Sequence, residues 1–286
     1  MAETLNILNI GGHPKDVVMY AGGTMMKHVA KGDNVTMLTP YHGLSHHEVA
    51  ISAAQNGIKP DFDALMEERK DELNRACEVL GIHDVHFLGY DDSIPVVDKD
   101  IVEDIADIIG AVRPNIIVTH WPHDTVSAHA AATQMTLLAI EAASSIRPGK
   151  SYKPFGGDNG GYQQVFFHTQ IGRTNVLENL AIRIPSVVVD ISDVVKQKAH
   201  AMNEFKSQHY GEDSPLERKL GESLDGSVFA IHKRVGYAET FIPHNSEVYS
   251  SLPVSEYGMR LTERTQQEKR LSMLQLKLDE FNPKGW

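Results

Sequence analysis

Two clusters in the 286-residue chain carry the residue types of a metal-dependent site. In the first, Gly11-Gly12-His13-Pro14-Lys15-Asp16 closes an apolar run, Leu5 to Ile10, and precedes Ala21-Gly22-Gly23-Thr24. A strand that delivers His13 and Asp16 on one tight turn puts an imidazole and a carboxylate within reach of a single cation. Capping of the next helix is the plainer role for such an Asp. In the second, Val118-Thr119-His120-Trp121-Pro122-His123-Asp124-Thr125-Val126-Ser127-Ala128-His129 leaves another apolar run and enters an Ala-rich helical stretch. A His opening such a helix has little packing reason to be there. His120 and His123 are readable either as substrate-facing groups or as polar loop residues.

The elements that must position these clusters follow from periodicity. Apolar runs rich in Val, Ile, Leu and Phe predict strands at Leu5–Ile10, Val35–Tyr41, Val85–Tyr90, Asn115–His120, Val165–His168 and Ser186–Asp190. Helical patterns fill the gaps at Gly23–Ala30, Asp63–Leu80, Lys99–Val112, His129–Ala143 and Ser192–Lys206, with Gly32, Gly81 and Pro114 as stops. The alternation predicts an α/β, Rossmann-like, mostly parallel sheet with flanking helices, read as one domain over residues 1–286. Ligands bind beyond the carboxyl ends of such strands, where both clusters fall. The Gly/Pro-rich stretch 146–164 reads as a loop over the site or as a plain surface excursion. From about residue 208 the alternation fades into a C-terminal helical extension. Its last helical pattern carries Leu271, Leu274, Leu278 and Phe281 on one stripe, for packing on the domain or for contact between copies in a homo-oligomer.

Composition bounds the partners. The chain is 41% hydrophobic and 23% charged, with a formal net charge of −11. No clustered Lys/Arg offers a nucleic-acid surface, and no apolar run is long enough to span a membrane. The start lacks a basic leader, so the expected compartment is the cytoplasm. Cys77, the single cysteine, reads as a small buried apolar residue in a helix.

The first cluster resembles the opening motif of the LmbE/PIG-L superfamily of zinc-dependent N-deacetylases: an apolar strand, A-H-P-D-D, then G-G-T. The match runs through His13, Pro14, Asp16, Gly22, Gly23 and Thr24 and departs at Lys15. The second cluster is similar to the family's T-H-x-x-x-D-x-H-x-D-H motif, with His129 at its last His, Asp124 at its first Asp, and Val126 and Ala128 at its internal His and Asp. Arg69 and Glu72 ahead of Leu80-Gly81, Phe87-Leu88-Gly89-Tyr90 with Asp91-Asp92, and Gly236-Tyr237-Ala238-Glu239-Thr240-Phe241 follow in the family's order. The resemblance implies His13, Asp16 and His129 as ligands of a divalent ion, zinc in the family. Three such ligands leave a coordination position open, as a catalytic ion requires.

Where the family keeps its Asp base this chain has Lys15, which donates hydrogen bonds and accepts none while charged. Val126 replaces the His that stabilises the family's intermediate. Ligands kept and acid-base groups replaced resemble the 4-oxalomesaconate hydratase branch, which adds water to a carbon–carbon double bond of a small polycarboxylate. That resemblance implies Glu48 and His168 as the proton-transfer groups, with Lys15 and Arg69 holding substrate carboxylates and His120 or His123 nearby. An N-deacetylase that recruits Glu48, Asp124 or a His as base is the alternative, and a catalytically silent metal-binding chain is a second. The expected partner is a small anionic substrate.

Overall fold

The structure is a computed structural model and describes residues 4–147, 164–168, 185–261 and 263–280. Among these, β1 (Asn6–Ile10), β2 (Asn34–Tyr41), β3 (Asp84–Tyr90), β4 (Ile116–Thr119), β5 (Gln164–His168), β6 (Val187–Asp190) and β7 (Ala238–Pro243) form one sheet in the order β3-β2-β1-β4-β5-β7-β6. The pairs from β3 through β5 are parallel, and β7 is antiparallel to both β5 and β6. The helices are α1 (Asp16–Met19), α2 (Gly22–Lys31), α3 (Glu48–Gln55), α4 (Phe62–Val79), α5 (Lys99–Val112), α6 (Ser127–Ala143), α7 (Val195–Met202), α8 (Leu216–Ser227), α9 (Glu256–Leu261) and α10 (Gln266–Glu280).

The central strand reads as a continuous apolar run because both its faces are covered. Ile7 packs with Val18, Met25, Leu73, Cys77 and Met202 of α1, α2, α4 and α7 on one side. Leu8 and Ile10 pack with Ile105, Ile109, Ala132 and Met135 of α5 and α6 on the other. Helix ends follow local chemistry. Gly32 closes α2 in the left-handed region at φ 89°, and the Asp61 and Asp98 side chains cap α4 and α5.

The predicted mostly parallel α/β sheet is the one observed, with a seventh strand that periodicity missed. Strand β7 lies inside the stretch read as a helical extension. Its sequence, Ala-Glu-Thr-Phe-Ile-Pro, sets a Glu, a Thr and a Pro against the apolar pattern in a strand whose first five residues are all buried. The stripe on α10 does not pack on its own domain: Leu271, Leu274 and Leu278 remain 56%, 52% and 53% exposed. Leu276 faces the domain instead, so close that a Cβ at Gly236 would lie 2.8 Å from its Cδ2. Phe281 and most of the 146–164 loop lie outside the described residues. No helix among the described residues is long and apolar enough to cross a membrane.

Cys77 is fully buried in α4, and burial pushes its thiol up to about 12. A thiol reagent at about pH 8 should therefore label the chain only after unfolding, with rapid labelling in concentrated guanidinium as the control. Fast labelling of the folded chain would contradict this packing.

Candidate functional site

Both clusters sit at the carboxyl ends of the two central strands. Strand β1 pairs with β2 on one side and β4 on the other, so the chain leaves it in opposite directions and opens the crevice where such sheets bind ligands. Asn9, buried within β1, donates from Nδ2 to the Val17 carbonyl at 2.9 Å and ties the turn back to its strand. The Gly12 amide donates to His120 Nε2 at 2.7 Å and ties the same turn to the end of β4. A Cβ on Gly12 would lie 3.0 Å from His129 Cδ2, so the backbone here runs close against that ring and leaves no room for a large side chain.

Asp16 is the hub. Its Oδ2 accepts from the His13 amide at 2.8 Å and faces His13 Nδ1 at 3.0 Å and His129 Nε2 at 3.1 Å, while Oδ1 takes Lys15 Nζ at 3.0 Å. Burial would raise this carboxyl, but Lys15 and His129 outweigh it and hold Asp16 well below the usual range. One donor atom from each of His13, Asp16 and His129 lies within 4.8 Å of the others, close enough to share an ion.

The two rings are aimed from behind. His13 Nε2 meets Asp92 Oδ2 at 3.0 Å, and His129 Nδ1 meets Asp124 Oδ2 at 2.9 Å. A carboxylate on the far nitrogen fixes the tautomer and turns the near nitrogen inward, the arrangement that metal-binding histidines adopt. Asp92 also accepts from Ser45 Oγ at 2.7 Å, and Asp124 from the Val126 amide at 2.8 Å. Burial works against a charge on His129, yet Asp16 and Asp124 lift it to about 9. The space between these carboxylates favours positive charge, and the His, Asp, His donor set fits a divalent ion.

Beyond the trio lies a cavity of about 260 Å³, lined by His13, Lys15, Glu48, Arg69, His209 and Arg218 among others. Lys15 therefore faces it, paired with Asp16. Arg69 is buried on α4, donates to Ser207 Oγ at 2.5 Å and lies 3.6 Å from Glu72, with its Nε unpaired. Glu48 is the first residue of α3, and its carboxylate meets His209 Nε2 at 3.0 Å at the mouth.

Four other candidates stand elsewhere. His120 is fully buried, stacks on His129 with ring centroids 3.8 Å apart, and spends its bare nitrogen on Gly12, so it positions the turn rather than meeting substrate. His123 is exposed on the loop after β4 and does not line the cavity. Asp124 is occupied by His129 and the Val126 amide, which leaves it no role as a base toward the cavity. His168 is buried behind the trio, stacked on Tyr20 at 4.6 Å and edge-on to His120 at 4.3 Å. Burial, then the charge of His129, pushes its ring down to about 3, and it is absent from the cavity wall.

Asp92 has no assigned role in the sequence patterns above, and His209 and Arg218 lie outside them. Asp92 had a usable signal, a carboxylate at the carboxyl end of a parallel strand. The other two had none, because they enter the site through the tertiary path of residues 205–218.

Comparison with known proteins bears on the same residues. Residues 8–140 match the model of the family described as PIG-L: GlcNAc-PI de-N-acetylase. A 1D-myo-inositol 2-acetamido-2-deoxy-alpha-D-glucopyranoside deacetylase of Thermobifida fusca is 31% identical over 172 residues, 51% of this chain and 58% of that protein. The chain thus spans less than two thirds of that relative's length. The conserved protein TT1542 from Thermus thermophilus has the same fold, with a TM-score of 0.67 at 21% identity over 88% of this chain and 100% of its own. GalB, the 4-carboxy-2-hydroxymuconate hydratase of Pseudomonas putida KT2440, gives 0.65 at 20% identity over 86% of this chain and 99% of its own.

The back-side carboxylates make a direct prediction. Asp92→Asn should weaken binding of a divalent ion by about 10- to 100-fold, read by competition with a chromogenic chelator, while the circular dichroism spectrum stays unchanged. Unaltered ion affinity in that variant would show that Asp92 does not orient His13.

Proposed function

Residues 8–140 are a domain of the PIG-L/LmbE family, and from that premise we propose that this chain is a zinc-dependent enzyme that adds water to an unsaturated small polycarboxylate of the 4-oxalomesaconate type. The observation that carries the reading is Lys15 Nζ at 3.0 Å from Asp16 Oδ1, an ammonium where the family's deacetylases hold a carboxylate base. A charged amine accepts no proton from water. It does attract a carboxylate, and so does Arg69 in the same cavity.

Zinc held by His13, Asp16 and His129 would polarise a substrate oxygen and lower the pKa of water in its reach. The chain's own groups do the rest. Lys15 and Arg69 orient the substrate's carboxylates, and the buried Arg69 guanidinium, braced by Ser207 and Glu72, keeps an unpaired Nε for this task. Glu48 at the cavity mouth handles protons as water's hydroxyl joins one carbon and a hydrogen joins its neighbour. This assignment drops His168, which the cavity does not include.

A second reading, amide hydrolysis of an N-acetylated amino sugar, is favoured by the deacetylase names of the family model and of the Thermobifida relative. In that case a group other than Lys15 activates the water. A chain that binds metal without turnover is the third outcome of the same test.

Purified chain, assayed with unsaturated oxo-dicarboxylates and with N-acetyl amino sugars, should turn over the first and not the second. A chelator should abolish the activity and added zinc restore it. Lys15→Asp should lower kcat/KM on the anionic substrate by roughly 10- to 100-fold, mainly through KM, and should create no amide hydrolysis. Amide hydrolysis that rises in Lys15→Asp would favour the deacetylase reading instead.

A further inference from the structure

We infer that Glu48 and His209 form the proton-transfer pair of this site. The inference rests on the reading that the cavity carries out water chemistry, and it holds for either reaction above. The pair is reached by elimination along the cavity wall. His13 is committed to Asp16 and Asp92. Lys15, Arg69 and Arg218 are cations that take no proton. Asp92 is occupied by His13 and Ser45, and Ser207 donates to Glu72 at 2.6 Å. The remaining ionisable groups on the wall are His46, Glu48, His209 and Tyr210, and of these Glu48 and His209 meet, Nε2 to Oε1, at 3.0 Å, while Tyr210 lies under the Arg218 guanidinium.

The segment that brings His209 here is built to hold it. Ser207 is fixed to Glu72 through its amide and its hydroxyl, each at 2.6 Å, and Arg69 donates to the same hydroxyl. Arg218 donates to the Gln208 carbonyl at 3.2 Å and stacks on Tyr210 with its guanidinium 4.7 Å from the ring. Between these anchors His209 sits at φ 63°, a left-handed conformation that a non-glycine residue adopts at some cost. The contact itself is open to water, with the two side chains 58% and 74% exposed, so folding gains little from it. A strained residue, braced from both sides, presents its ring to a carboxylate that contributes little to stability.

In the step, the water oxygen forms its new bond to carbon as the π bond at that carbon opens onto the neighbouring carbon, or onto oxygen in an amide, and water's proton passes to the neutral His209 ring, with Glu48 stabilising the resulting imidazolium. The ring then returns one proton, to the neighbouring carbon in a hydration or to the departing nitrogen as the C–N bond breaks in an amide hydrolysis. Nothing is oxidised, and the pair ends as it began.

The test uses His209→Gly, which suits the left-handed backbone, His209→Asn and Glu48→Gln, each assayed with the substrate the unaltered chain turns over. Each should lose about 100-fold or more in kcat with KM changed less than about threefold. Melting temperature should stay within about 2 °C and zinc content should be unchanged. The Glu48→Gln, His209→Gly double variant should be no slower than the worse single variant by more than about threefold, because the pair acts as a unit. Free imidazole should restore turnover to His209→Gly. Variants at His209 that keep kcat within about threefold overturn the inference alone. A chain inactive on both substrate classes despite bound zinc overturns both the inference and the reading beneath it.

Discussion

A carboxylate with no exposure to solvent is expensive unless both oxygens are satisfied, and Asp16 meets that demand with the His13 amide, two imidazoles and the Lys15 ammonium. The rest of the site is arranged around it. Each imidazole that reaches Asp16 has its other nitrogen on a second carboxylate, Asp92 after β3 for His13 and Asp124 after β4 for His129. The ends of three parallel strands are thereby locked to one oxygen atom. Lys15 changes the electrostatics of this hub rather than its geometry. Relative to an Asp at that position it shifts the local charge by two units, which weakens the pull on a dication and strengthens the pull on an anion entering the cavity.

The turn that carries Asp16 is braced from the far end of the chain. Glu239 on β7 accepts from the Gly23 and Thr24 amides at the start of α2, at 2.9 and 2.7 Å, and from Lys198 Nζ at 2.7 Å. Lys198 donates in turn to the Met19 carbonyl at 2.6 Å and to Ser223 Oγ at 2.8 Å. A buried ion pair with its donors and acceptors met in this way specifies geometry, because any shift leaves a charge unpaired in the interior. Gly23 itself is fixed by packing, since a Cβ there would lie 2.8 Å from the Ile191 side chain. The last antiparallel strand is therefore part of the support of a site read from the first residues of the chain.

What the sequence disclosed divides along the same physical line. Parallel strands buried on both faces announce themselves as apolar runs, and Gly32, Gly81 and Pro114 mark helix stops, so the sheet from β1 to β6 was legible. Strand β7 was not, since its Glu239 breaks the apolar pattern and its pairing partners lie far away in the chain. The site residues on the two turns could be named because neighbouring positions carry their geometry. His129 could be named as a ligand through the family resemblance, whereas the place of His120 could not be read, because it depends on a ring nitrogen facing the Gly12 amide. His209 was invisible, since its place depends on the left-handed turn that residues 205–210 make against α4.

The cavity reconciles an acidic protein with the anionic substrate proposed for it. A net charge of −11 repels anions at long range, but mobile ions screen that field beyond about 8 Å at physiological salt. Inside the cavity the relevant charges are those on its wall. Three cations, Lys15, Arg69 and Arg218, face two carboxylates, Asp92 and Glu48, and Arg218 is held by an aromatic ring and a carbonyl rather than by a carboxylate. The wall is thus locally cationic within a molecule that is acidic overall, so selection for negative charge operates only after entry, at contact distance. A neutral sugar amide would gain nothing from that wall, whereas a substrate with two or more carboxylates would engage it at several points at once.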